Sequence, residues 1–295
     1  MRASEVVTRR HGLTTQRYEL LLMAMTGSDG SGRATLGELA ERLALAPSSM
    51  TELVARCEAL GLVRRELDSS QRRAVFVAVT AEGQRGGGVA YFPDPTEGLR
   101  RYERWLNSLT TVEAAQRDLF VECPIGHPTL LARADAVAYR PVDWPEDYDL
   151  VLRLWAAGGR FRNVEEPVLD WRGHPARLAR TDPRYSLTAF ARCKVHYLRM
   201  HALDGRPAVV WGAGPVGKLH ARVLMDAGVE VTAFVEVDER KIGKRIYGIP
   251  VLSHDDGPRS GVVLGSVAGE AARARLRELA CEQGRRDGDD FVAVA

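Results

Sequence analysis

The stretch Ala208-Val209-Val210-Trp211-Gly212-Ala213-Gly214-Pro215-Val216-Gly217 leaves the backbone few choices. Four apolar residues running straight into glycines read as a short buried strand. G-x-G-x-x-G between a strand and a helix uses its first glycines for a tight turn and for close approach of a phosphate to the helix N-terminus. The third glycine lets the helix pack on the strand. A helix through Ala227 and a second strand, Glu230 to Val235, follow. That strand runs into Glu236-Val237-Asp238, about where an acidic residue would hold a ribose. Gly212, Gly214, Gly217 and Asp238 are therefore candidates for holding a nucleotide or sugar nucleotide. A small parallel α/β sheet is expected over residues 206–295.

The chain has 295 residues, room for about two or three domains. With 45% hydrophobic and 27% charged residues it falls in the ordinary globular range. A net charge of +2 argues against binding polyanions over the whole surface, so a nucleic-acid site must be a local patch. Cys57, Cys123, Cys193 and Cys281 lie far apart without a C-x-x-C, and read as free thiols of a reducing cytosol. The N-terminus has no apolar signal core, and no apolar run is long enough to span a membrane. A soluble cytoplasmic protein is the expectation.

The first 85 residues are patterned differently. Tyr18 to Met25 reads as a buried helix ended by the turn at 27–32. Thr35 precedes Leu36-Gly37-Glu38-Leu39-Ala40-Glu41-Arg42-Leu43, and Glu38 completes a capping-box pattern. Pro47-Ser48-Ser49 starts a second helix, with Leu53, Cys57 and Leu60 on its inner face. Two short helices joined by a tight turn form a helix-turn-helix. Leu62 to Glu66 and Arg72 to Val79 then alternate across a polar tip, as in a two-stranded ribbon. Thr80-Ala81-Glu82-Gly83 closes the run.

In this order the elements resemble the MarR family of bacterial regulators over most of residues 12–84. The resemblance implies an α+β winged helix bound to double-stranded DNA. The helix beginning near Ser48 would enter the major groove, and Arg72 and Arg73 would reach the phosphates or minor groove. The residue types agree. Ser48, Ser49 and Thr51 are short hydroxyl donors at a helix N-terminus. Arg64, Arg65, Arg72 and Arg73 concentrate positive charge on one ribbon. The alternative is a winged helix used for protein contacts, with solvated arginines. The resemblance also implies dimers formed through the first and last helices. Here the first is nearly absent and Gly86-Gly87-Gly88 replaces the last, so a dimer is not implied and a lone module covers one half-site.

Composition changes at that glycine triplet, which places a domain join near 84–88. Glu97 to Leu109 reads as a helix with Leu99, Tyr102, Leu106 and Leu109 on one face. Within Trp144 to Arg160, Glu146-Asp147 opens a helix whose free N–H groups favour negative charge. Leu150, Val151, Leu154 and Trp155 give that helix a buried face, and Gly158-Gly159 stops it. Its flanks carry Glu122-Cys123-Pro124-Ile125-Gly126-His127-Pro128, Arg133, Val164-Glu165-Glu166-Pro167 and Asp170-Trp171-Arg172-Gly173-His174.

Together these motifs resemble the carboxyl half of an inverting family-2 glycosyltransferase of the GT-A type, over residues 88–185. The resemblance puts Glu146 and Asp147 at a saccharide acceptor site with Asp147 as general base, and His174 near the donor diphosphate or its metal. A sugar hydroxyl does need a nearby carboxylate to take its proton. The donor half, with its sheet and D-x-D, is not found upstream; Asp147-Tyr148-Asp149 has the spelling but lies inside the helix. A sugar nucleotide and a manganese or magnesium ion are implied only for an active transferase. Losing half of a GT-A sheet should leave apolar surface uncovered, so residues 88–185 should be the least stable part or be buried against their flanks.

A linking helix is expected over 186–205, with Phe190, Val195 and Leu198 inward and Arg192, Lys194 and Arg199 outward. His196 and His201 read as surface residues rather than ligands. Residues 206–295 resemble the small Rossmann-like domain ahead of bacterial sugar acyltransferases and behind some family-2 glycosyltransferases. The expected fold class is therefore mixed and multidomain: a winged helix (1–85), a partial GT-A α/β remnant (88–185), the linking helix and a Rossmann-like sheet. Three readings stand at this stage: a DNA-binding module joined to a sugar-nucleotide-like sensor, an inverting glycosyltransferase, and a hybrid that does neither.

Overall fold

The computed structural model describes Leu20, Ala24 and residues 33–59, 63–67, 75–79, 86–132, 137–173 and 177–295. The chain divides into two compact units. One holds residues 1–115, 124–139 and 157–174; the other holds 116–123, 140–156 and 175–295. The stretch 88–185 thus contributes to both units.

The first unit begins with strand β1 (Arg33–Thr35), helix α1 (Leu36–Arg42) and helix α2 (Pro47–Ala59). The capping box at Thr35 forms: Thr35 Oγ1 accepts from the Glu38 N–H at 3.2 Å, and Glu38 Oε2 accepts from the Thr35 N–H at 2.8 Å. Two donors with no partner inside the helix are thereby satisfied. Leu20, Ala24, Leu39, Met50, Val54 and Cys57 are fully buried in one core, on which Leu131 also packs. Strands β2 (Val63–Leu67) and β3 (Val75–Val79) form the antiparallel ribbon. β1 adds to the far side of β3, so the sheet has three strands in the order β1-β3-β2 rather than two. Three residues are too few for alternation to show in a sequence.

Strand β4 (Gly86–Phe92) comes next, then helix α3 (Glu97–Ser108) and strand β5 (Asn163–Arg172), which pairs with β4 in parallel. The glycine triplet lies within a strand. Gly86, Gly87 and Gly88 are buried residues of β4. A Cβ on Gly87 would lie 1.7 Å from Val168 Cγ2, and one on Gly86 would lie 2.1 Å from Asn163 Oδ1. Glycine is used here for close packing, a role that composition alone does not separate from flexibility.

The other edge of β4 is closed by side chains. Gly87 N–H donates to Thr129 Oγ1, Val89 N–H to Asn107 Oδ1 and Tyr91 N–H to Glu103 Oε2, each at 2.8 Å. Asn107 Nδ2 also donates to the Val89 carbonyl at 2.8 Å. Alternate residues are addressed, as a neighbouring strand would address them. Glu103 and Asn107 stand one turn apart on α3, which also buries Trp105 and Leu106. The cover expected from a missing half-sheet is thus supplied in part within this unit. Asn163 Nδ2 donates to the Leu106 and Pro124 carbonyls at 2.8 and 2.9 Å, fixing the start of β5.

The second unit contains α4 (Glu146–Ala156), α5 (Leu187–Leu198), β6 (Ala208–Trp211), α6 (Pro215–Asp226), β7 (Val231–Glu236), β8 (Arg245–Ile246), β9 (Ile249–Ser253), β10 (Val262–Gly265), α7 (Glu270–Glu282) and β11 (Phe291–Ala293). Its sheet runs β11-β10-β6-β7-β9-β8; all neighbours are parallel except the short β8. The order reverses between β6 and β10, the kind of place where open α/β sheets leave a crevice at their strand ends.

Helix α5 corrects one expectation. Lys194 does not point outward: it is buried, and its Nζ donates to the Val121 and Val294 carbonyls at 2.8 and 2.9 Å. Those acceptors come from distant parts of the chain. Burial pushes the Lys194 amine down, while the Glu122 charge opposes that shift. His196 and His201 pack on aromatic rings, His196 against Trp144 and Tyr197, and His201 against Trp155 and Tyr197.

Overpacking a filled site costs roughly 1–3 kcal/mol, so Gly87→Ala should lower the thermal unfolding midpoint, and adding Val168→Ala should recover part of the loss. A Gly87→Ala protein that melts with the parent would contradict the packing described.

Candidate functional site

Three places carry candidate chemistry. On α2 the inner face is Met50, Leu53, Val54 and Cys57, which leaves Ser48, Ser49, Thr51 and Arg56 exposed on the other side. The Thr51 hydroxyl donates to the Pro47 carbonyl at 2.9 Å, so its free capacity is as an acceptor. Arg65 on β2 reaches this helix: its Nη2 donates to the Thr51 carbonyl at 3.3 Å, and its Nε stands 3.7 Å from Glu58 Oε2. Arg64 pairs with Glu66 at 2.5 Å. Arg56, not singled out from sequence, pairs with Glu52 on the exposed face. Ion pairs this exposed contribute no more than about 1 kcal/mol, so a phosphate can replace the carboxylates. Arg72 and Arg73 lie outside the described residues.

The second place is the start of α4. Glu146 Oε1 accepts from the Tyr185 hydroxyl at 3.1 Å, and its Oε2 stands 3.4 Å from Arg184 Nη1. Arg184 also grips Asp182, with Nη2 to Oδ2 at 2.7 Å. Asp147 Oδ1 accepts from the Tyr148 N–H at 2.8 Å. Burial pushes the Glu122 carboxyl up, the Lys194 charge pulls it down, and Asp147 adds to the rise. Burial and the charges of Asp147 and Glu146 push the Tyr185 phenol up. The structure thus brings Glu146 and Asp147 together around Tyr185, and sets Glu122 within reach of the Asp147 charge. His174 lies outside the described residues.

Asp149, the second aspartate of the D-x-D spelling, is a buried anchor. Its carboxylate takes Arg140 Nε at 2.8 Å, Arg140 Nη2 at 2.7 Å, Trp144 Nε1 at 3.0 Å and the Tyr197 hydroxyl at 2.9 Å. Three of these bonds fall on Oδ1 and one on Oδ2, so this carboxylate is used as a structural acceptor. Among the described residues no group of three or more His, Cys, Asp or Glu side chains is placed to hold a metal ion.

The third place is the glycine turn after β6. Gly212 has φ +113°, and a Cβ there would lie 2.7 Å from Val267 Cγ2. A Cβ on Gly217 would lie 1.8 Å from the Gly212 carbonyl oxygen, the close helix-on-turn packing read from the motif. Gly214 is different: a Cβ there meets nothing within 4 Å. The acid at this turn is Glu236, the last residue of β7. Its Oε2 accepts from the Ala213 N–H at 3.0 Å and Lys241 Nζ at 2.9 Å. Its Oε1 accepts from the Val237 and Asp238 N–H groups at 2.9 and 3.3 Å. Asp238, named from spacing, instead holds Arg240, with Nε to Oδ1 at 2.9 Å. Spacing could not choose between two acids that stand two residues apart. Beside the turn, buried His220 Nδ1 lies 3.1 Å from Ser266 Oγ, and burial pushes its imidazole down to about 3.

The first place coincides with a known family. Residues 11–74 match the sequence model described as "MarR family", and this N-terminal module is a winged helix of MarR type. Similar solved structures include AbsC, a MarR family transcriptional regulator from Streptomyces coelicolor, 32% identical over 27% of this chain and 53% of its own, with a TM-score of 0.25. CouR from Rhodococcus jostii RHA1, bound to p-coumaroyl-CoA, is 32% identical over 28% of this chain and 55% of its own, TM-score 0.25. The YusO protein from Bacillus subtilis is 25% identical over 27% of this chain and 54% of its own, TM-score 0.24. The chain spans about half the length of these structures. Among the described residues, no helix is long and apolar enough to cross a membrane.

Asp149 also makes a pH prediction. Burial pushes its carboxyl up, but hydrogen bonds from Arg140, Trp144 and Tyr197 outweigh that and hold it below the usual range. Its stabilising contribution is therefore complete well above the unfolded value of about 3.9 and is lost as pH falls through the lower folded value. Asp149→Asn should cost about 2 kcal/mol at pH 7, because it removes the charge that strengthens the bonds from Arg140, Trp144 and Tyr197 to a buried acceptor. In thermal melts from pH 7 to pH 3, the gap between parent and variant should close as the solution becomes acid; a gap that stays constant would contradict this assignment.

Proposed function

We propose that this chain binds duplex DNA through its N-terminal winged helix. The face made by Ser48, Ser49 and Thr51 would lie against the major groove, with Arg64, Arg65, Arg72 and Arg73 reaching the phosphates. The observation that supports this most is the position of Arg65. Its guanidinium sits on the Thr51 carbonyl, which places ribbon charge beside the exposed start of α2. Short hydroxyls at a helix N-terminus position and read the duplex, while arginines supply the salt-dependent attraction. A transcription regulator is the role that fits such a module.

The transferase reading of residues 88–185 is the weaker alternative. It needs Asp147 to take a proton from a saccharide hydroxyl while an activated sugar is held in line, and positioning two reactants is a large part of such catalysis. The carboxylate beside it, Glu146, is already engaged by Tyr185 and Arg184. We therefore read this stretch as a structural contributor to both units rather than as a working transferase, with no saccharide acceptor or metal ion assigned.

Fluorescence anisotropy on a labelled duplex at several salt concentrations tests the DNA reading. Arg72→Ala combined with Arg73→Ala should weaken binding at every sequence and reduce the slope of log K against log salt by roughly 2. Unchanged affinity and slope would remove the wing from the interface, and absence of binding by the parent chain would end the proposal.

A further inference from the structure

Arg273, on α7, is only 8% exposed. Among the described residues no hydrogen bond or ion pair reaches its guanidinium. Arg285, in the same unit and 7% exposed, shows what a structural buried arginine looks like: it donates to the Gly261, Asp290 and Pro258 carbonyls. Buried polar groups are nearly always bonded, and a charge left without a partner is the most costly exception. Arg273 carries five N–H donors and finds no acceptor in the chain.

The carboxylates near it are committed elsewhere. The Asp118 charge acts on Arg273, but Asp118 Oδ1 accepts from Arg277 Nη2 at 2.7 Å and lies 3.5 Å from Arg117 Nε. Arg277 also gives its Nε to Asp287 Oδ2 at 2.8 Å. Glu270 is exposed, and its charge acts on Arg273 without a bond. Lys194 feels the Arg273 charge too, and its own bonds go to neutral carbonyls. Positive charge therefore crowds around Asp118, with the Arg273 fork left over.

This place is separate from the glycine turn. Gly217 of α6 packs on Val210, whereas a Cβ on Gly265 would meet Leu276 of α7. Val210 pairs with Leu264, the residue before Gly265. Successive residues of a strand face opposite ways, so α6 and α7 cover opposite faces of the sheet.

A carboxylate has what the guanidinium lacks. Its two coplanar oxygens accept two parallel bonds from the fork, and its single charge matches one cation without a partner. A phosphate dianion brings more charge than that. We propose that Arg273 anchors a binding site for a small organic acid, which it holds by the acid's carboxylate. Nothing in this depends on DNA binding by the winged helix.

Saturation-transfer NMR of the full chain with propionate tests this, with ionic strength held constant by chloride. The parent should give a saturable signal. Arg273→Lys keeps the charge but loses the fork, and should weaken binding by roughly tenfold. Arg273→Met should abolish binding yet melt no lower than the parent, since no bond is lost. A propionate signal that is absent or does not saturate would overturn the proposal, as would equal affinity in Arg273→Lys or tighter binding of inorganic phosphate than of propionate. Melting of Arg273→Met well below the parent would mark a structural arginine and overturn it as well.

Discussion

Among the described residues strand β4 has one strand neighbour, and its other edge is finished by Thr129, Asn107 and Glu103. A bare strand edge leaves every second N–H and carbonyl without a partner, and buried groups in that condition cost on the order of 1–3 kcal/mol each. Asn107 meets the cost most completely, since its amide pairs with both the N–H and the carbonyl of Val89. Two side chains one turn apart on α3 thus take the place of a strand. That allows a parallel pair to persist in the first unit without a wider sheet. It also fixes the helix against the strand, so that Trp105 and Leu106 become buried.

The same economy recurs at two other carboxylates: Asp149 is held by Arg140, Trp144 and Tyr197, and Glu236 by the glycine turn and Lys241. Glu146 is only half held, since its Oε1 accepts from Tyr185 while its buried Oε2 has no hydrogen-bond partner. Even the exposed ribbon arginines carry partners, Arg64 with Glu66 and Arg65 with Glu58. The difference lies in exposure. Pairs at the surface of the winged helix are weak and open to exchange with phosphate. Asp149 itself is buried, although Arg140 is not, and it is also held by the Trp144 and Tyr197 side chains. This difference is why DNA binding, rather than sugar transfer, is the reading the side chains support.

Much of the local structure was legible in the sequence. The Thr35–Glu38 capping box, the start of α2 at Pro47 and the strand–turn–helix at Gly212 follow from rules that act within a few residues. What was hidden depends on distant partners. Lys194 looked like the outer face of a helix, because the carbonyls that receive it belong to residues 121 and 294. The roles of Glu103 and Asn107 gave no sign in the sequence, because nothing local says that a strand edge lies over them. Gly86 to Gly88 looked like a seam, because the tight contacts with Asn163 and Val168 are far along the chain. The candidate places divided the same way: that Ser48, Ser49 and Thr51 lie opposite the buried face of α2 was readable, whereas that Glu236 takes the Ala213 N–H while Asp238 holds Arg240 needed coordinates.

Amide hydrogen exchange on the intact chain tests the central claim, that side chains close the β4 edge, most directly. The Val89 and Tyr91 amides should exchange as slowly as those that β4 shares with β5, and Asn107→Ala should release Val89 while leaving the β5-facing amides protected. Val89 and Tyr91 amides that exchange at the rate of an exposed loop in the parent chain would contradict the account.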